Sequence, residues 1–356
     1  MCLVILFFFA STPGGRALTI IPVWDVSITS DPNAATIENT ITQAIQFYEA
    51  RFADPITISI EFQKMTSGLG QSTFDYYTIS YTSFLSQLQT DSTTADDAYA
   101  LAHLPVSSTN PVTGSASINV NTANLKALGF LGLNSSFTNG VEGIVYLNTT
   151  IMNLNRVTIN PTKYDLLSVA EHEMNEVLGL GSDLPYTDNP FPQELFRYSS
   201  TGAHTFMATG DDAYFSLDGT NLLARFNQNS GGDYGDWWTA GSQIPRVQDA
   251  FGTAGATPNP MVELVTLDVQ GYNLVPLPQP GILSIELSGT DLVVNATTGI
   301  ATGTYHLLSS TNITLALNQW DALNTYVLTN NGSFTFTATN AVVPHSPQQF
   351  YMLQLQ

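Results

Sequence analysis

The residues best suited to chemistry in this sequence lie in one short segment, HEMNE at 172–176. Residues four positions apart share one face of an α-helix, so His172 and Glu176 can both reach one metal ion. Glu173 lies beside that face, where its carboxylate can take the proton of a metal-activated water and then deliver it to a leaving amine. The usual zinc-peptidase signature is H-E-x-x-H, and here a glutamate replaces the second histidine. The spacing therefore indicates a zinc site, and the alternative is the charged face of a solvated helix.

A zinc ion needs further protein ligands, and the residues after this segment offer several candidates. Gly179 extends the pattern to H-E-x-x-E-x-x-G, the spacing at which metzincins have a glycine so that the chain can turn towards the third ligand. Ser182 occupies the third-ligand position and Asp183 follows it. We favour Asp183, because a carboxylate binds zinc better than a neutral hydroxyl. His204 is another candidate ligand and Met207 a candidate for the methionine turn of metzincins, although exposed loop histidines and core methionines are commoner.

A longer stretch, from about Ile37 to Asn273, resembles a family of secreted bacterial proteins that are classed as metalloproteinases and are related to the metzincins. The resemblance is carried by EHEMNEVLGLGSD (171–183), LFRYSSTG (195–202), DDAYFSLDG (211–219), LARFN (223–227), GDYGDW (232–237), QDAF (248–251) and ELVTLDVQGY (263–272). Members of that family similarly have glutamate in place of the second histidine, so the resemblance implies that Glu176 is a metal ligand. It also implies zinc-dependent peptidase activity. The C-terminal part resembles a small β module that is appended to many secreted bacterial proteins.

Aspartates in loops rich in glycine and asparagine raise the question of a second metal. Calcium binds carboxylate oxygens on such loops, whereas Asx turns account for the same composition without an ion. Both interpretations stay open for Ca²⁺ at the following residues: Asp211, Asp212, Asp218, Asp233 and Asp236.

The periodicity of apolar residues predicts the elements that position these side chains. A helical spacing runs from Asp31 to Phe52, and residues 56–62 then alternate as in a strand. The segment LLSVAEHEMNEVL (166–178) is a strong helix former, with Gly179 as its stop. Further predicted elements are a helix over 84–104, strands over 116–120 and 143–148, and a last helix over 260–269. This order predicts an α+β fold, and the resemblance implies a metzincin-like catalytic domain with a mixed sheet beside the motif helix.

Changes in composition mark the ends of that domain. The opening MCLVILFFFA, followed by small residues, predicts a secretory signal peptide over 1–19, with a buried N-terminal strand as the alternative. The segment PLPQP begins a predicted linker over 276–284, and the short strand patterns after it predict a small β-sandwich over 285–356. We therefore expect a metalloproteinase-like domain over 20–275 in a secreted, extracellular protein.

The balance of charge limits the expected partners. Nine Lys and Arg stand against 29 Asp and Glu, a formal net charge of -20. Such a chain repels phosphate backbones, so we expect no nucleic-acid partner. The single cysteine, Cys2, provides neither a disulfide framework nor a thiolate metal site, so any metal must be held by His, Asp or Glu. No apolar run is long enough to cross a bilayer, and we expect no membrane span.

These features predict a secreted zinc-dependent metallopeptidase that hydrolyses protein or peptide substrates, with His172, Glu176 and Asp183 as metal ligands. Glu173 would act as its general base. The alternative is a non-catalytic secreted or surface-binding protein that kept the fold. A carboxylate ligand weakens the Lewis acidity of the metal and favours this alternative, whereas the His172–Glu173 pair favours the enzyme, because a binding protein needs no general base. Carbohydrate binding by aromatics of the β module, such as Trp320, is a further alternative.

Overall fold

A computed structural model describes residues 17–182, 184–185, 189–210, 212–239, 244–275, 280–299, 304–315, 320–328, 332–342 and 348–355. The chain divides into two compact units, 1–275 and 276–356. Each unit has hydrophobic clusters of its own. Within the described ranges, every helix is too short or too polar to cross a membrane.

The first unit combines helices with short strands. Its helices are α1 (Val26–Thr29), α2 (Ala34–Arg51), α3 (Tyr81–Asp91), α4 (Ala95–His103), α5 (Thr122–Ala127), α6 (Leu166–Leu178) and α7 (Val262–Asp268). Its strands are β1 (Thr19–Trp24), β2 (Thr57–Lys64), β3 (Gly70–Phe74), β4 (Tyr76–Ser80), β5 (Ser117–Asn121), β6 (Gly143–Leu147), β7 (Met152–Asn153), β8 (Tyr164–Asp165), β9 (Arg197–Ser199), β10 (Ala213–Phe215) and β11 (Ala224–Arg225). Short 3-10 helices lie at Thr149–Ile151 and Pro192–Phe196.

A four-stranded mixed sheet in the order β1-β2-β6-β3 lies at the centre of this unit. Strands β1, β2 and β6 run parallel, and β3 runs antiparallel to β6. Alternation along β2 buries Ile58, Ile60 and Phe62 completely, as the side-chain period of two in a strand requires. Helix α2 packs against β1, and α6 packs against β3, β6 and α2. The α+β fold with a mixed sheet that the sequence predicts is therefore confirmed.

Helix α6, which carries the candidate site, has the bounds that the sequence predicts. It begins after Asp165, whose side chain accepts a hydrogen bond from the backbone N–H of Ser168 and so satisfies a free donor of the first turn. It ends at Gly179, whose φ of 148° favours glycine. A Cβ atom there would lie 3.1 Å from Oε1 of Gln270 and 3.4 Å from Cβ of Asn124. The helix thus has a side-chain cap at its start and a glycine at its end.

The single helix predicted over 84–104 is wrong, because α3 and α4 are separate. Thr94 starts the second helix through a capping box with Asp97: each side chain accepts a hydrogen bond from the backbone N–H of the other residue. Apolar spacing continues across the break, so periodicity alone does not reveal it.

The first unit already includes residues at the end of the predicted signal peptide. Leu18 is buried, and its backbone N–H donates to the carbonyl of Phe52. The N–H of Thr19 donates to the carbonyl of Ile56. Residues 1–16, which make up most of the predicted signal peptide, lie outside the described residues.

The second unit consists of antiparallel strands: β12 (Gly281–Ser288), β13 (Asp291–Gly299), β14 (Thr304–Ser310), β15 (Asp321–Val327), β16 (Gly332–Ala338) and β17 (Phe350–Leu355). They form one sheet in the order β12-β13-β16 and another in the order β15-β14-β17. Side chains of both sheets share one hydrophobic cluster, which includes Leu292, Tyr305, Leu307 and Phe336. Strand β12 begins within the predicted linker, whose residues 276–279 lie outside the described residues.

Candidate metal centre

Helix α6 contributes His172, Glu173 and Glu176 to one wall of a cleft of about 580 Å³. Met174 and Val177 belong to the hydrophobic cluster of the first unit and are fully buried. The helix is therefore anchored by its apolar side chains, while His172, Glu173 and Glu176 line the cleft.

The loop between β11 and α7 brings a third group to this wall. Nε2 of His172 lies 3.6 Å from Oε1 of Glu176 and 3.6 Å from Oδ2 of Asp236. One ligand atom from each residue lies within 4.8 Å of those of the other two. Two ligands of a tetrahedral zinc ion with bonds of about 2.1 Å are about 3.4 Å apart. The three side chains therefore suit a small cation bound between them.

The ring of His172 is held in the orientation that metal binding needs. Its Nδ1 atom lies 2.9 Å from the backbone carbonyl of Val247. A carbonyl only accepts hydrogen bonds, so Nδ1 carries the proton and donates it. When Nε2 is unprotonated, the ring presents the lone pair of that atom to the cluster, and a hydrogen bond of this kind at Nδ1 is typical of metal-binding histidines.

Each candidate carboxylate ligand uses one oxygen for a hydrogen bond. The hydroxyl of Ser72 in β3 donates to Oε2 of Glu176 at 2.6 Å. The amide of Gln248 donates to Oδ1 of Asp236 at 2.9 Å. The other oxygens, Oε1 and Oδ2, are the two that face Nε2 of His172.

The cluster concentrates negative charge away from water, because Glu173, Glu176 and Asp236 are 4%, 8% and 3% exposed. Burial and the neighbouring Glu176 raise the pKa of Glu173 well above its ordinary value. Burial likewise raises the pKa of Asp236 to about 8, although His172 opposes the shift. Burial lowers the pKa of His172, but Asp236 and Glu176 outweigh it and raise that pKa well above its ordinary value. Such a site takes up protons unless another cation balances the carboxylates.

The carboxylate of Glu173 lies against the backbone of β3. A Cβ atom at Gly70 would overlap Oε1 of Glu173 and would lie 2.9 Å from its Cδ and from Cγ1 of Val169. Only glycine leaves room for Glu173 at this place. The carboxylate of Glu173 thus lies beside the three candidate ligands but is not one of them.

The cleft continues beyond the candidate ligands along β3 and the loop around residue 250. Gly70–Ser72 form one side, and Arg246 and Phe251 lie on another. Strand β3 is an outer strand of the mixed sheet. The cleft is therefore lined by backbone of a strand on one side and by a mixture of polar and apolar side chains on the other.

The third ligand predicted from the sequence, Asp183, lies outside the described residues and stays a prediction. Its neighbour Ser182 does not line the cleft, and its hydroxyl donates to the carboxylate of Glu194. The described residue that joins His172 and Glu176 is Asp236. From the sequence, Asp236 is a candidate ligand for calcium alone, and the available signal is its place in the GDYGDW segment.

Neither His204 nor Met207 belongs to the cluster. The ring of His204 stacks on Tyr198 with 4.3 Å between the ring centroids. Met207 is 51% exposed, so it does not lie beneath a buried metal site. The structure therefore does not bring these two residues together with the motif helix.

Local contacts account for two of the four described aspartates that were candidates for calcium. Asp212 pairs with Arg225. Asp218 accepts hydrogen bonds from the backbone and hydroxyl of Thr220, as in an Asx turn. Asp211 lies outside the described residues. Of the rest, Asp233 lines the same cleft as the candidate metal centre.

Comparison with known proteins adds no relative: no family model, curated protein or solved structure matches the chain.

Proposed function

We propose that this chain is a secreted zinc-dependent metallopeptidase with a metzincin-like catalytic domain and a C-terminal β-sandwich module. The observation that carries the proposal is the convergence of His172, Glu176 and Asp236, with Glu173 beside them in one cleft. Imidazole nitrogen and carboxylate oxygens are both zinc ligands in proteins, and three protein ligands with a fourth position open to water or substrate are the usual arrangement of catalytic zinc.

The chemistry follows from what each side chain can do. A bound zinc ion would acidify water and polarise a carbonyl oxygen. Glu173 can accept the proton of the attacking water, because its carboxylate is held at the cleft wall next to the candidate ligands. It can then deliver that proton to the leaving amine, as a general acid does. His172 stays oriented throughout by its hydrogen bond to Val247.

A peptide is the substrate class that the cleft favours. Gly70–Ser72 belong to an outer strand of the sheet and line the cleft next to Glu173. Extended peptides add to outer strands through main-chain hydrogen bonds, and the cleft provides room for side chains. A peptide bound in this way would pass close to the carboxylate of Glu173.

The alternative is a non-catalytic surface-binding protein, and the position of the candidate ligands in the cleft argues against it. A metal that only stabilises a fold is commonly surrounded completely by protein ligands. Here the candidate ligands line an open cleft, and Gly70 makes room for a further carboxylate. Both features suit catalysis better than a structural ion.

The test is the substitution Glu173→Gln, measured on a labelled, unfolded protein as a general substrate. We expect the variant to retain zinc and to lose about 10²- to 10⁴-fold in rate, because the amide keeps the shape of the side chain but cannot accept the proton. His172→Ala should lose both zinc and activity. A zinc-loaded Glu173→Gln variant that cleaves within a few fold of the parent would refute the assigned role.

A further inference from the structure

Gln248 is a buried amide that contacts a candidate metal ligand on one side and the motif helix on the other. Its side chain is 1% exposed. Its Nε2 atom donates to Oδ1 of Asp236 at 2.9 Å, and its Oε1 atom accepts from Nδ2 of Asn175 at 3.0 Å. Because Asn175 belongs to α6, this amide connects the loop of the third candidate ligand with the helix of the other two.

The hydrogen bonds along this path run in one direction. A carboxylate only accepts, so Asp236 determines which end of the Gln248 amide faces it. The oxygen of Gln248 accepts from Asn175, and the oxygen of Asn175 accepts from the hydroxyl of Tyr48 at 2.6 Å. The two amide orientations are therefore set by a carboxylate at one end of the path and a buried hydroxyl at the other.

Hydrogen bonds also fix the backbone around Gln248. Its N–H donates to Oε1 of Glu263 at 3.0 Å, and its carbonyl accepts from the N–H of Trp237 at 2.8 Å. The preceding carbonyl, that of Val247, accepts from Nδ1 of His172. Two consecutive residues thus orient two of the candidate ligands, one through a main-chain oxygen and one through a side chain.

We propose that Gln248 is a positioning residue for zinc at this centre: its amide holds Oδ1 of Asp236 and leaves Oδ2 directed at the ion. The inference rests on the proposed function, because it concerns the same metal. Without the amide donor, Asp236 can rotate and Oδ1 becomes a buried acceptor without its partner. Hydrogen-bond partners of metal ligands typically change metal affinity by about 10- to 100-fold, although they do not touch the ion.

The experiment compares zinc dissociation constants by competition with a chromophoric chelator. Gln248→Met keeps the size of the side chain without the donor, and Gln248→Glu keeps its shape but places a carboxylate against Asp236. The matched control is Gln270→Met, because Gln270 is also fully buried and its amide has no hydrogen-bond partner among the described residues. Cobalt(II) in place of zinc adds a visible spectrum that depends on the arrangement of ligands.

We expect both Gln248 variants to bind zinc about 10- to 100-fold more weakly than the parent and to change the cobalt spectrum. Gln270→Met should behave like the parent. Circular dichroism of the metal-free proteins checks folding, and either Gln248 variant suffices if the other fails to fold. Parent-like zinc affinity in a folded Gln248 variant would overturn the positioning role alone. A parent protein that binds no zinc would overturn the metal centre and this inference with it.

Discussion

Nε2 of His172 lies 3.6 Å from Oδ2 of Asp236, although strands β9, β10 and β11 lie between the two residues in the sequence. The histidine belongs to a helix with strong local signals, and the aspartate belongs to a loop. Because the two side chains are close, Asp236 joins His172 and Glu176 of the helix motif in a candidate metal centre of three residues. The proposed function gives the neighbouring carboxylates separate tasks, and mutations can distinguish them.

The first prediction distinguishes Asp236 from the other aspartate of its loop. Asp236→Ala should lose most zinc binding, because it removes one of three candidate ligands. Asp233→Asn is the matched control, because Asp233 lines the cleft but is not part of the three-residue group. Zinc content after dialysis measures both. Equal zinc in the two variants would show that Asp236 is not a ligand. Asp183 would then be the next candidate for the third ligand.

The second prediction concerns the space that Gly70 leaves for Glu173. Gly70→Ala should reduce cleavage strongly while zinc stays bound, because the new Cβ would overlap the Glu173 carboxylate and displace it. Gly231→Ala is the control: Gly231 also lines the cleft, but a Cβ there meets its nearest atom at an ordinary 3.4 Å. Rates measured at matched zinc content give the comparison. Parent-like activity of Gly70→Ala would mean that the position of Glu173 does not matter.

The third prediction is a pH dependence of stability that arises away from the cleft. Burial, partly offset by a hydrogen bond from Thr94, raises the pKa of Asp268 to about 7. The unfolded value is about 4, so the folded state binds the proton more tightly. The resulting stabilisation is complete below pH of about 4 and is lost as the pH rises through about 7.

Asp268→Asn cannot titrate, so the stability of the parent minus that of the variant should fall between pH of about 4 and 7 and then level off. Urea unfolding at a series of pH values provides the free energies of unfolding. A difference that is constant with pH, or that grows as pH rises, would be inconsistent with a raised pKa at Asp268.

The fourth prediction concerns the two compact units, 1–275 and 276–356. Each has its own hydrophobic clusters, so limited proteolysis should cut first in the part of the predicted linker that precedes strand β12, which begins at Gly281. The fragment that ends there should keep its circular dichroism and its zinc. Unfolding of that fragment once 281–356 is removed would show that the boundary is misplaced.

The parts of the fold that the sequence predicted are those with strong local signals. The motif helix has a capping aspartate, a helical apolar pattern and a terminal glycine, and its predicted bounds agree with α6. The predicted strand over 116–120 is shifted by one residue from β5, and the one over 143–148 extends one residue beyond β6. These elements are decided by residues close together in the chain.

The third member of the candidate site depends instead on contacts between distant segments. Asp236 lies in a loop without regular periodicity, and its place is set by Gln248 and by the packing of Trp237. Neither contact corresponds to a regular spacing of residues that could be recognised in the sequence. The sequence therefore indicates the helix of the candidate site but not the loop that completes the cluster.

The zinc content of the purified protein, measured by elemental analysis, tests the central claim most directly. We expect about one zinc per chain in the parent, released by a chelator, and almost none in His172→Ala, because three protein ligands and an open position are typical of catalytic zinc. A parent protein that holds no transition metal, even after zinc is supplied in excess, would contradict the proposed metallopeptidase.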